Sequence, residues 1–384
     1  MPARKNGMLK IKDIQHRIIY KDPYAYCAHP HVVALQNGDW LVVFNKTVRR
    51  SFILHPPEDP HYYNVLIRSH DQGKTWTAPR VVPGYDWYGV ECAGLSPLSD
   101  GTLLLNQWRF RWYPLETAKK LAYKNELLFP KGWLDEVKVS GELETGNVLP
   151  DNPEELTPWA RGNGGTYVHR SLDFGNTWEE TIEIDTTPYS GGYGLRQAIE
   201  LPSGEILLPL SDVPNYATVF VARSTDHGKS WEKLVEAARA PGCCFEEPTA
   251  LRLFTGRIIM LLRENNSHYL YQTVSDDEGW SWSAPTQTAI WGYPAHLLAL
   301  PDGRIVCVYG YRAHPYGIRL VVSYDNCASW DVQHILSIRD DLPNKNLGYP
   351  SSVLADDGSI LTVYYGQDVD GITCIQGSQY FLEE

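Results

Sequence analysis

Apolar and polar residues alternate in short runs along nearly the whole chain, and most runs stop at a turn containing Gly, Asp or Asn. Pro30-His-Val-Val-Ala-Leu35, Asp39-Trp-Leu-Val-Val-Phe44, Asn64-Val-Leu-Ile-Arg-Ser69 and Trp76-Thr-Ala-Pro-Arg-Val-Val82 are four in succession. They are too short for amphipathic helices and rich in β-branched residues, so they read as strands of antiparallel sheets. A stretch with helical character, Leu115 to Leu128, opens an irregular segment from about 112 to 163 that turns acidic and Pro/Gly-rich.

One phrase punctuates this pattern. Ser69-His-Asp71-Gln-Gly73-Lys-Thr-Trp76 recurs at Ser171, Ser224 and Ser275, and at Ser323 with Cys327 in the Gly place, giving S-x-D-x-G-x-[TS]-W. The Asp can accept hydrogen bonds from backbone N–H groups ahead of it, Gly accepts positive φ, and Thr or Ser caps the turn. The phrase is therefore a self-satisfied hairpin, with its Trp placed to fill the gap between neighbouring sheets. Its physics needs no substrate and marks architecture. The copies recur about every fifty residues, with one double interval, and about fifty residues is one four-stranded propeller blade. Blades open near Pro30, Gly89, Arg196, Glu247, Pro294 and Gly348. The last unit has three strands, and Leu9 to Tyr20 supplies the fourth, closing the ring. The expected fold is all-β, a six-bladed β-propeller over residues 1–384 as one domain, with 112–163 inserted in the second blade.

Composition narrows the partners. A formal charge of -12 with no basic stripe argues against nucleic acid. No apolar run of signal-peptide or membrane-spanning length appears, which gives a cytoplasmic location as the expectation. The seven cysteines show neither a disulfide framework nor zinc spacing, and no metal or other cofactor is expected.

Up-and-down strands put the phrase turns on one face, so the starts of the inner strands collect on the other. Four dipeptides come into register there: His29-Pro30, Glu247-Pro248, Tyr293-Pro294 and Tyr349-Pro350. Second strands bring Arg263 and Arg312 to the same mouth, with Arg319 just beyond. Arg49, Arg50 and the loop His55-Pro-Pro-Glu-Asp-Pro-His61 reach the same face.

With these boxes and mouth residues the chain resembles the sialidase superfamily of Asp-box propellers over nearly its whole length. The resemblance implies a retaining glycoside hydrolase in which Tyr349 is the nucleophile, Glu247 takes its proton and Asp59 is the acid/base. It also implies that arginines, among them Arg263 and Arg312 or Arg319, hold a substrate carboxylate. A Tyr hydroxyl needs a neighbouring carboxylate to attack at neutral pH, and Asp59 would need a sheltered setting that raises its pKa. The chain departs from the family in the first blade, where Ala28-His29-Pro30 stands in place of Arg-Ile-Pro. Either Arg196 or Arg50 replaces the missing cation, or the substrate is a different sugar, such as a uronic acid or a neutral terminal unit of a polysaccharide. The expected function is exo-acting hydrolysis of an acidic or polysaccharide-terminal sugar, with carbohydrate as partner. The rivals are a lyase using a His/Tyr pair and a non-catalytic sugar-binding propeller. The insertion is a lid or a packing flap, and Trp112, Trp133 and Trp159 offer stacking faces in the first case.

Overall fold

Each alternating run pairs with the next in sequence, so the chain folds into six separate antiparallel sheets. The computed structural model describes residues 9–50, 53–84, 87–132, 152, 154 and 157–383. Blade I is Ala25–Ala34, Trp40–Val48, Tyr63–Ser69 and Arg80–Val82. Blade II is Gly94–Pro97, Leu103–Pro114, Trp159–Ser171 and Ile182–Ile184. In blade III the inner strand is broken into Gly192–Tyr193 and Ile199–Glu200, and both pieces pair with Ile206–Asp212. Thr218–Ser224 and Lys233–Arg239 complete it. Blades IV and V open with Phe245–Arg252 and Ala295–Ala299. Blade VI opens with Gly348–Leu354, and its outer strand is Lys10–Tyr20, paired with Thr373–Glu383. The ring is thus a six-bladed propeller closed by its N-terminal strand, which removes the open edge a three-stranded last blade would expose.

The boxes are built as their residue types require. In the first, Ser69 Oγ donates to Asp71 and accepts from Gly73 N at 2.7 Å, while Asp71 accepts from Thr75 N at 2.8 Å and Thr75 Oγ1 at 2.6 Å. The same set recurs in the fifth, with Cys327 N in the Gly place. Gly also lets the turn lie against the preceding blade. A Cβ on Gly228 would stand 3.0 Å from Leu104, and one on Gly279 would stand 2.9 Å from Leu207. Box tryptophans fill the wedges between sheets, Trp178 against blades I and II and Trp231 against blades II and III.

The segment predicted as an insertion is the far end of a long hairpin, paired down to Pro114 and Trp159. Its described part holds a single helical turn, Leu115–Ala118, and a 3-10 turn, Lys124–Glu126, rather than one helix from Leu115 to Leu128. Of residues 115–128 only Leu115 and Ala118 are buried, so no apolar face continues past the first turn to hold a longer helix. Trp112 packs over Phe110 and tightly against Gly89 inside the fold, while Trp133 lies outside the described residues.

Candidate active site

Three inner strands slip register at the same place. The pairing jumps between Ala28 and His31, between Glu246 and Thr249, and between Gly348 and Ser351. The residue at each slip precedes a proline and has positive φ: His29 at 55°, Glu247 at 52° and Tyr349 at 50°. A bulge of this kind turns the side chain out of the pleat. Here it turns three side chains toward the mouth of the central channel.

They meet there. The Tyr349 hydroxyl donates to Glu247 Oε1, and the other oxygen of that carboxylate accepts from Arg263 Nη1 at 2.9 Å. The His29 ring stands edge-on to Tyr349, with centroids 4.3 Å apart. Burial first, then the negative Glu247, raises Tyr349 well above the ordinary phenol value, so it rests protonated and hydrogen-bonded. Burial opposes the charge on Arg263, but Glu247 and Glu246 more than offset it and the guanidinium is held firmly charged. Arg263 and Arg312 both lie over the Tyr293 ring, at 4.3 and 5.1 Å. Arg312 also donates to Leu347 O at 3.1 Å.

The remaining residues singled out from sequence are engaged in contacts of their own. Asp59 is fully buried, but its carboxylate accepts from Thr47 Oγ1 at 2.8 Å, Arg50 Nη1 at 2.6 Å and His61 N at 3.0 Å. Burial alone would raise it, yet the His61 and Arg50 contacts win and hold it below the ordinary Asp value. The raised value that acid work needs is not what these neighbours produce, and Arg50 is engaged in holding this loop. Arg319 sits over Tyr311 and donates to Ser337, to Arg339 O and to Pro315 O, away from Glu247. Arg196, in the break of the blade III inner strand, is buried on the axis and donates to Ala295 O, Pro30 O and Pro350 O.

Residues 154–362, more than half of the chain, match the model of the BNR repeat-like domain family, and residues 67–78 match the BNR/Asp-box repeat. The chain belongs to the BNR repeat-like domain family. No curated protein matches it in sequence. Among solved structures it is similar to a Dyadobacter fermentans protein of unknown function, at 24% identity and TM-score 0.78, covering 97% of this chain and 100% of that one. It is also similar to the intramolecular trans-sialidase from Ruminococcus gnavus, at 15% identity and TM-score 0.65, covering 95% and 96% of the two chains. A third is the Penicillium chrysogenum alpha-L-arabinanase, at 16% identity and TM-score 0.62, covering 95% and 97%. The fold these proteins share is that of a sialidase-like propeller, and two of the three are glycoside-processing enzymes by name.

One mouth residue is missing from the sequence reading. Counting back from the closing turn by the distance that reaches His29, Glu247 and Tyr349 lands, in blade II, on Cys92. Glu91 stands beside it. Burial first, and the nearby Glu246, Glu58 and Glu247 next, push its carboxyl well above the ordinary range. A buried amide relay fixes it relative to the site: His29 Nδ1 donates to Asn45 Oδ1 at 3.3 Å, Asn45 Nδ2 donates to Asn64 Oδ1 at 3.1 Å, and Asn64 Nδ2 donates to Glu91 O at 3.1 Å. The pairing slips here too, between Val90–Arg109 and Gly94–Asn106, but without a proline or a left-handed residue, and the register count lands on Cys92, so nothing in the sequence singles out Glu91.

Proposed function

We propose that the chain is an exo-acting retaining glycoside hydrolase in which Tyr349 is the nucleophile. The observation that carries this is the Tyr349 hydroxyl donating to a Glu247 carboxylate whose second oxygen is held by Arg263. In the first step the phenol oxygen attacks the anomeric carbon, its proton passes to Glu247, and the glycosidic oxygen leaves with a proton from Glu91. In the second, Glu91 takes a proton from water, water displaces the glycosyl group from Tyr349, and Glu247 returns the phenol proton. Glu91 is preferred to Asp59 as proton donor because burial, and then its carboxylate neighbours, favour its protonated form, whereas His61 and Arg50 hold Asp59 ionised. Arg263 and Arg312, side by side on Tyr293, give one wall of the mouth a positive charge suited to an acidic or hydroxyl-rich terminal sugar.

Removing the nucleophile or its base should stop catalysis and leave the fold intact. On a panel of aryl sialosides, uronides and arabinofuranosides, Tyr349→Phe and Glu247→Gln are each expected to abolish the turnover seen in the wild type, with thermal midpoints showing folded protein. Unchanged turnover in both variants would overturn the assignment. The His29 imidazole against Tyr349 supports a second reading, β-elimination from a uronate polymer. Ultraviolet absorbance from a new C=C bond, without release of a saturated sugar, would favour that reading.

A further inference from the structure

Deeper on the axis lies a second cluster that hydrolysis does not use. His31, on the blade I inner strand, is fully buried, and its Nδ1 accepts from Leu95 N at 3.0 Å. His296, on the blade V inner strand, accepts at Nδ1 from Ser352 N at 3.3 Å. A ring nitrogen that accepts carries no proton, so both neutral imidazoles bear theirs on Nε2. The rings are 6.0 Å apart, and His31 Nε2 is buried with no hydrogen-bond partner among the described residues. An unanswered buried N–H of this kind is destabilising.

Arg196 adds charge to these donors. Three of its N–H groups are taken up by the carbonyls of Ala295, Pro30 and Pro350, from three different blades. Carbonyl oxygens satisfy donors but do not neutralise a cation. Glu247, the carboxylate that acts on Arg196, is already bonded to Tyr349 and Arg263. Burial pulls Arg196 down to about 10 and, with the Arg196 charge, keeps both histidines well below their ordinary value and therefore neutral. What remains is the buried, unanswered His31 N–H, with His296 and an imperfectly countered positive charge beside it.

We propose that His31, His296 and Arg196 form an axial binding site for a small monovalent anion, a halide, beneath the Tyr349–Glu247 pair. A halide accepts several N–H bonds at once and supplies the missing negative charge. A water molecule could accept from His31 Nε2 but would bring no negative charge to Arg196. The inference is independent of which sugar the mouth takes.

The test uses the full chain, crystallised and soaked in sodium bromide. An anomalous bromide peak within hydrogen-bond distance of His31 Nε2 is expected. Axial density without anomalous signal, or bromide confined to the outer surface, would overturn the proposal. In solution, at constant ionic strength, the thermal midpoint should rise and saturate with bromide but not with gluconate, and His296→Phe should lose that rise. A midpoint indifferent to bromide in the wild type would equally count against the site.

Discussion

His29, Glu247 and Tyr349 share a left-handed backbone that a Cβ resists, at a typical cost of about 1–3 kcal/mol for each residue. What this strain accompanies is a fixed aim of three side chains into one mouth. Glu91 reaches the same mouth without a left-handed residue, its backbone held through the Asn45–Asn64 relay. A proton donor acts only while protonated, and burial among carboxylates keeps Glu91 protonated to higher pH than an ordinary Glu. The rate on substrates with poor leaving groups should therefore fall as pH rises through the Glu91 value. Glu91→Gln should remove that alkaline limb and cost about 10²–10⁴-fold with a poor leaving group, but much less with 4-nitrophenol. Comparing kcat/KM for the two leaving groups across pH is the measurement. An equal loss for both would leave Glu91 a structural role only.

The box turn and the inner strand are the elements that set blade spacing. Asp71 and Asp277 are brought down to about 2, first by the hydroxyls of Thr75 and Ser281 and then by backbone N–H groups. A folded value below the unfolded one, near about 4, contributes stability at neutral pH that is lost as pH falls through the folded value. Denaturation midpoints should therefore drop between about pH 4 and pH 2, and Asp277→Asn should flatten part of that drop while lowering stability at pH 7. At the axis, a Cβ on Gly94 would stand 2.4 Å from the Arg196 carbonyl and 2.6 Å from Asn106 Oδ1. Neither is free to move, so Gly94→Ala should destabilise by about 1–3 kcal/mol, measured by chemical denaturation.

At the scale of the whole molecule, closure depends on the first strand meeting the last. Without Lys10–Tyr20 the strand Thr373–Glu383 would present an unpaired edge. Deleting residues 1–20 should lower the thermal midpoint and promote association, visible by light scattering. This closure was legible in the sequence because boxes repeat at a fixed period and the last unit lacks one strand. The boxes were legible because the hydrogen bonds that close each turn run between residues of the same short phrase. Glu247, Arg263 and Tyr349 could be read from register, since the box turns date every inner strand. Glu91 could not, because nothing local marks it and its environment comes from residues far along the chain. Asp59 shows the opposite limit: its burial was foreseeable, but whether burial raises or lowers a carboxyl depends on its partners, and Arg50 and His61 decide that. Arg196 read as a cation for substrate, yet the break in the blade III strand turns it onto backbone carbonyls at the axis.

Chemical capture of the glycosyl-enzyme bears most directly on the central claim. The chain would be incubated with a panel of fluorinated glycosyl fluorides, including sialosyl, uronosyl and arabinofuranosyl types, then digested and sequenced by mass spectrometry. A sugar-sized mass on the Tyr349 peptide, absent in Tyr349→Phe, is the expected result. A label on any other residue, or no labelled peptide across the panel, would contradict a Tyr349 nucleophile.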